Sequence, residues 1–114
     1  MSHITTHILD ISNGKPASGV TVTLEFFIAL ETWRELGRGI TDSDGRIKTL
    51  LSPDVDFQTG TYRLTFETAA YFNSHHIDSF YPHVSISFIV TDSDQHYHVP
   101  LLLSPFGFST YRGS

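Results

Sequence analysis

The strongest constraint in this sequence is an alternation of apolar and polar side chains with a period of two residues. In "VTVTLEFF", residues 20–27, every second side chain is apolar, and "TYRLTFE" at 61–67 and "HVSISFIV" at 83–90 repeat the pattern. Successive side chains of a β-strand point to opposite faces, so this alternation is typical of strands that bury one face. The sequence therefore predicts an all-β protein.

Clusters of Gly, Pro, Asn, Asp and Ser separate the alternating segments and mark turns, as in "SNGKPASG" and "TDSDG". Between them we expect eight strands, at about 5–11, 20–28, 32–40, 45–51, 60–67, 83–91, 96–104 and 108–112. One segment, "ETAAYFNSHH" at about 67–76, lacks the alternation and predicts a short helix. Many short strands with one brief helix favour a two-sheet sandwich.

Length and composition limit the function classes. A chain of 114 residues with 39% hydrophobic and 17% charged residues fits a single globular domain spanning 1–114. No apolar run approaches the ~18 residues of a membrane span. The net charge of −5 and the scattered Lys and Arg residues argue against a nucleic-acid partner. With no cysteine, thiolate chemistry and disulfides are excluded.

The N-terminal segment "MSHITTHILD" has no basic stretch followed by an apolar one, so we expect no secretory signal. This favours a cytoplasmic protein. A periplasmic location is the alternative if a signal peptide has been removed.

Seven histidines are many for this length, and imidazole is the readiest general acid or base near neutral pH. His7 lies in "THILDI", where it shares a strand face with Leu9, and His98 shares a face with His96. A histidine in such a position is more often a core or interface residue. His96 and His98 could also bind a metal, but further ligands would have to come from "SHH" at 74–76 or a distant carboxylate. We therefore predict no metal site.

Arg46 follows the Asp44-Gly45 turn directly. It is either a surface residue in an ion pair that adds little stability, or a residue whose guanidinium binds a carbonyl or an anionic ring with two parallel hydrogen bonds. The local sequence leaves both alternatives open. A serine-hydrolase triad is disfavoured, because the chain contains no Gly-x-Ser-x-Gly motif.

Taken together, "THILDISNGKPASGV", "TDSDGR", "FYPHVSISF" and above all "HYHVPLLLSPFGFSTYRGS" resemble the transthyretin-related 5-hydroxyisourate hydrolases of urate degradation. The resemblance covers essentially the whole chain, and the terminal Tyr-Arg-Gly-Ser is its most specific part. It implies a prealbumin-like sandwich of eight strands and one short helix. It also implies hydrolysis of 5-hydroxyisourate to 2-oxo-4-hydroxy-4-carboxy-5-ureidoimidazoline, without a cofactor.

The resemblance further implies a homotetramer, a dimer of dimers, with active sites in the groove between dimers. The residues that match the family's site are His7, Arg46 and His98 as catalytic groups, and Tyr111, Arg112, Gly113 and Ser114 as substrate-binding groups. Two points stay open: which histidine is the general base, and whether the hydroxyl or the carboxylate of Ser114 matters. The sequence departs from the family's pattern in one respect: the hairpin before Arg46, "FFIALETWRELGRGI", is long.

Two other functions are compatible with the fold. One is a transthyretin-like carrier of a small aromatic ligand, and the other is a structural sandwich module. The resemblance counts against both, because such carriers lack the His, Arg and Tyr-Arg-Gly-Ser set, and such modules usually occur as repeats in longer chains.

Overall fold

The computed structural model describes residues 3–114, and these form two four-stranded sheets and one helix. The strands are β1 (Ile4–Asp10), β2 (Lys15–Pro16), β3 (Thr21–Ala29), β4 (Thr32–Ile40), β5 (Gly60–Phe66), β6 (Val84–Val90), β7 (Tyr97–Ser104) and β8 (Gly107–Thr110), and the helix α1 is Thr68–Ser74. The first sheet has the order β2-β1-β7-β8 and the second β4-β3-β5-β6. The predicted all-β sandwich of about eight strands is confirmed.

The core lies between the two sheets and consists of the inward members of the alternating segments. Val22 and Leu24 of β3, Leu64 of β5, and Ile8 and Leu101 of the first sheet are all fully buried. Each such side chain contributes about 1.5–3 kcal/mol relative to leaving it in water. The period-two pattern thus fixes which face of each strand turns inward.

β1 and β7 are joined by a parallel ladder, which brings residues from near the two ends of the sequence side by side. Thr5 lies opposite His98, and His7 lies opposite Pro100. Thr5, His7 and His98 each lie between two buried residues of their strand, so these three side chains are on the outer face of the first sheet. The predicted sharing of faces around His7 and His98 is confirmed.

The strand predicted at 45–51 is wrong. Apart from an isolated bridge between Arg46 and His7, this segment is irregular. Its buried hydrophobic side chains are Ile47, Leu50 and Leu51, and this spacing does not alternate as a strand requires. The segment instead packs against glycines of β4, so it connects β4 in the second sheet with β1 in the first.

The edges of the first sheet also differ from the prediction. The loop "SNGKPASG" contains the two-residue strand β2, which pairs antiparallel with the end of β1 through Leu9 and Pro16. A proline fits there because β2 is an edge strand. The last strand ends at Thr110 rather than at 112, because its partner residue further along β7 is Pro100, which has no N–H to donate.

The helix forms where it was predicted but is shorter, at Thr68–Ser74 instead of 67–76. It is anchored to the first sheet by Tyr71, whose hydroxyl donates to the buried Asp10 carboxylate at 2.8 Å. Burial and this carboxylate raise the pKa of Tyr71 to about 12, so the phenol stays protonated as a donor. Within residues 3–114, no helix is long and apolar enough to cross a membrane.

We expect Gly37→Ala to destabilise the protein by about 1–3 kcal/mol, the usual cost of overpacking. A Cβ at Gly37 would lie 1.8 Å from the Leu50 carbonyl oxygen, so the segment that carries Arg46 would have to move. Urea denaturation measures the free energy of unfolding. The control is Gly107→Ala, where the nearest atom to an added Cβ is Ser104 Oγ at 3.7 Å. Equal stability of the two variants would contradict the close approach.

Candidate active site

A cavity of about 320 Å³ lies on the outer face of the first sheet, where β1, β7, the irregular segment 45–51 and the C-terminal tail meet. Its lining residues are Thr5, Thr6, Arg46, Ile47, His96, His98 and Ser114. Three of the residue positions predicted for the site therefore border one space, although they are far apart in the sequence.

His98 is held by the strand next to it. The Thr5 hydroxyl lies 2.8 Å from His98 Nδ1, and the same hydroxyl lies 2.9 Å from His96 Nε2. These contacts occupy one ring nitrogen of His98. Its Nε2 is the remaining ring nitrogen for proton chemistry.

Arg46 is placed beside His7 by a tight turn. The Asp42 carboxylate accepts hydrogen bonds from the backbone N–H groups of Asp44, at 2.9 Å, and Arg46, at 3.1 Å. Gly45 takes a positive φ of 73°, and its carbonyl accepts a bond from the Ile8 N–H at 2.9 Å. This turn joins the irregular segment to β1 and brings Arg46 and His7 together as bridge partners.

The electrostatics of the site keep both histidines neutral near neutral pH. Burial lowers the pKa of His98, and the positive charge of Arg46 and the neighbouring His7 and His96 lower it further. Burial and Arg46 also lower the pKa of His7, against a smaller opposing effect of a hydrogen bond to the Asp44 backbone. A neutral imidazole has a free lone pair, so either ring is able to accept a proton.

The end of the tail is tied to His98. After the ladder between β7 and β8 stops at Thr110, Gly113 pairs with His98 in the same antiparallel register, and the Gly113 N–H donates to the His98 carbonyl at 2.8 Å. A Cβ at Gly113 would lie 2.6 Å from His98 Cδ2, so any larger residue there would force the His98 ring or the tail to move. Ser114 follows directly and borders the cavity.

Tyr111 and Arg112 lie away from this cavity within one chain. The side chain of Tyr111 is 58% exposed. The Arg112 guanidinium stacks over the ring of Tyr97 at 4.5 Å and donates to Gln95 Oε1 at 2.8 Å. Both residues border a second cavity, of about 250 Å³, next to Phe88 of β6. The structure thus brings Gly113 and Ser114, but not Tyr111 and Arg112, to the histidines of the same chain.

Sequence reasoning missed Thr5 as a site residue, and it considered His96 only as a metal ligand. The signal that could have indicated Thr5 is its position two residues before His7, on the same face of a strand. In residues 3–114 no group of three or more His, Cys, Asp or Glu side chains is arranged to hold a metal ion.

The fold and the cavity define a transthyretin-like sandwich with a cluster of histidine and arginine on its outer sheet face. The sequence model of the HIUase/transthyretin family matches residues 4–113, so the chain belongs to that family.

A 5-hydroxyisourate hydrolase of Salmonella dublin is 48% identical over 97% of this chain and 80% of its own length. Among solved structures, 5-hydroxyisourate hydrolase of Klebsiella pneumoniae is 40% identical with a TM-score of 0.83, covering 97% of this chain and 98% of its own. Sea bream transthyretin in complex with thyroxine is 30% identical with a TM-score of 0.91, covering 98% and 95%. The higher identity to the enzymes indicates that this chain is a hydrolase.

We expect Gly113→Ala to reduce turnover by about tenfold or more, because the added methyl group would displace the His98 ring or the tail, and a catalytic group misplaced by about 1 Å can cost on the order of 10²-fold. Steady-state kinetics measure the loss, and a change in the His98 ring resonances in NMR spectra locates it. Gly107→Ala serves as the control. Full activity of Gly113→Ala would show that the close contact with His98 does not matter.

Proposed function

We propose that this protein hydrolyses 5-hydroxyisourate to 2-oxo-4-hydroxy-4-carboxy-5-ureidoimidazoline in urate degradation. The observation that carries the proposal is the meeting of His7, Arg46 and His98 on one sheet face, next to a cavity that also borders Ser114. The similarity to hydrolases named for this substrate supports it. His7, Arg46 and His98 are the proposed catalytic residues.

The reaction requires the addition of water to a cyclic acyl carbon and the cleavage of its bond to nitrogen. In our proposal one of the two histidines removes a proton from water, and the resulting hydroxide attacks the acyl carbon. The tetrahedral intermediate then collapses with cleavage of the C–N bond, and a proton passes to the leaving nitrogen. Because the pKa values of both histidines are lowered, each is in the basic form at neutral pH.

Arg46 stabilises the negative charge that develops on the acyl oxygen. Its guanidinium offers hydrogen-bond donors in a fixed planar arrangement. A single well-placed donor to such an oxyanion contributes about 10²–10³-fold to the rate. The second histidine orients the water, and the imidazolium that forms when the base takes up its proton supplies the proton to the leaving nitrogen. Water and these side chains suffice, so the proposal includes no metal or other cofactor.

The proposed tetramer would complete the site. Tyr111 and Arg112 lie away from the cavity of their own chain, and the outer face that holds the cavity is open. In a dimer of dimers with the first sheets facing each other, the groove between dimers would enclose the substrate. Tyr111, Arg112, Gly113 and Ser114 are the proposed substrate-binding residues of that groove.

The alternative function is that of a carrier for a small aromatic ligand. The sandwich superimposes on sea bream transthyretin, a structure in complex with thyroxine, with a TM-score of 0.91. A shared fold does not determine function, however, and the alternative gives no role to two neutral histidines beside an arginine. Turnover measurements separate the two functions directly.

We expect His98→Ala and His7→Ala each to lower turnover of 5-hydroxyisourate at least tenfold, because a general base contributes about 10²–10⁴-fold. The measurement is the decay of freshly generated 5-hydroxyisourate, followed by ultraviolet absorbance and corrected for the spontaneous rate. His83→Ala, on the outer face of the second sheet, is the matched control. If both site variants turn over as fast as the wild type, the assignment of the histidines fails. If the wild type does not exceed the spontaneous rate, the hydrolase proposal fails.

We expect the turnover number to fall as the pH is lowered, with a midpoint below about 6.5, the ordinary pKa of histidine. The reason is that burial and Arg46 lower the pKa values of His98 and His7, so the active neutral form persists to lower pH. Arg46→Gln removes one cause of the lowered pKa values, so the midpoint of its residual activity should lie at a higher pH. A profile with its midpoint above 6.5 would contradict a depressed base.

A further inference from the structure

The hydroxyl group of Thr5 lies between two imidazole rings. It is 2.8 Å from His98 Nδ1 and 2.9 Å from His96 Nε2, and both are hydrogen-bond distances. Thr5 is half-buried on β1, and its position is fixed by the parallel ladder, in which it is the partner of His98. The three side chains border the same cavity.

A hydroxyl group has one proton to donate and lone pairs to accept with. Three arrangements are therefore consistent with the two short contacts. In the first, His98 Nδ1–H donates to Thr5, and Thr5 donates to His96. In the second, His96 Nε2–H donates to Thr5, and Thr5 donates to His98. In the third, both rings donate to Thr5. The first and third leave His98 Nε2 without a proton, and of these only the first gives the Thr5 proton an acceptor on the two rings.

Arg46 excludes the second arrangement. Its guanidinium borders the cavity together with His98, and it has donors but no acceptor. A positive donor group favours a lone pair rather than an N–H on the ring nitrogen that remains open to the cavity. Since Thr5 occupies Nδ1, that nitrogen is Nε2.

We propose that Thr5 is a positioning residue that holds His98 in the Nδ1–H tautomer, with His96 as the acceptor at the far end of a His98–Thr5–His96 relay. The relay makes His98 Nε2 the nitrogen that takes the proton from water, so it assigns the general base. This assignment rests on the proposed hydrolase function, whereas the tautomer itself does not.

Besides Thr5 and His96, the groups that face His98 are His7 from β1, Arg46 from the irregular segment after β4, and Gly113 and Ser114 from the tail.

The first test is the tautomer of His98, measured by the nitrogen chemical shifts of its ring at neutral pH without substrate. The wild type should carry the proton on Nδ1. Thr5→Val, which keeps the shape but removes the hydroxyl, should shift His98 towards the Nε2–H form, and Thr5→Ser should restore it. Thr65→Val is the matched control, since this threonine makes a similar side-chain contact, to Ser85 Oγ at 3.2 Å, on the second sheet.

The second test uses kinetics. Thr5→Val should lower kcat about tenfold or more with little change in KM. This loss in kcat is a part of the about 10²–10⁴-fold that a general base contributes. Thr5→Ser should recover most of this loss. At position 96, His96→Gln keeps an acceptor for the Thr5 hydroxyl, so it should retain more turnover than His96→Leu.

The outcomes separate this inference from the hydrolase proposal. A wild-type His98 protonated on Nε2, or a Thr5→Val variant with an unchanged tautomer and pH profile, would overturn the relay even if the protein is an active hydrolase. The expected tautomers in a protein without turnover would support the relay and reject the substrate. Thermal unfolding of each variant verifies that it is folded.

Discussion

The site depends on the parallel pairing of β1 with β7. The ladder runs from Ile4 opposite Tyr97 to Asp10 opposite Leu103. Its register is fixed by the inward side chains of both strands, which are almost completely buried. A slip of one residue would turn these apolar groups towards solvent, so the free energy of the core also holds Thr5 opposite His98. The geometry of the proposed base is therefore maintained by residues that never contact the substrate.

Pro100 determines how the tail meets the site. Because proline has no N–H, the ladder between β7 and β8 is interrupted at this residue, and the Thr110 hydroxyl instead donates to the Pro100 carbonyl at 2.7 Å. The pairing resumes at Gly113 in the same register. The interruption leaves Tyr111 without a ladder partner and exposed, while Gly113 contacts His98. One tail thereby presents residues to its own cavity and to the surface.

The sequence was sufficient for the strands whose apolar residues alternate, because alternation depends only on the local chain. The prediction failed at 45–51. This segment is irregular, and it buries its own residues Ile47, Leu50 and Leu51 where it packs against Gly37 and Gly39. That contact joins distant parts of the chain and leaves no periodic signal. The same reason explains why Thr5 was missed. Its partner is 93 residues away, and only the strand register shows the two together.

The choice of threonine as the neighbour of His98 follows from the charge that the reaction needs. A carboxylate at Nδ1, as in the Ser-His-Asp triad, would orient the imidazole but also favour its protonated form. A hydroxyl orients the ring without adding charge, so burial and Arg46 continue to lower the pKa of His98. The proposed base then remains neutral at the pH where it would act, and the charge of Arg46 stays available for the oxyanion of the proposed reaction. A hydroxyl group is therefore the orienting partner that suits a histidine beside an arginine.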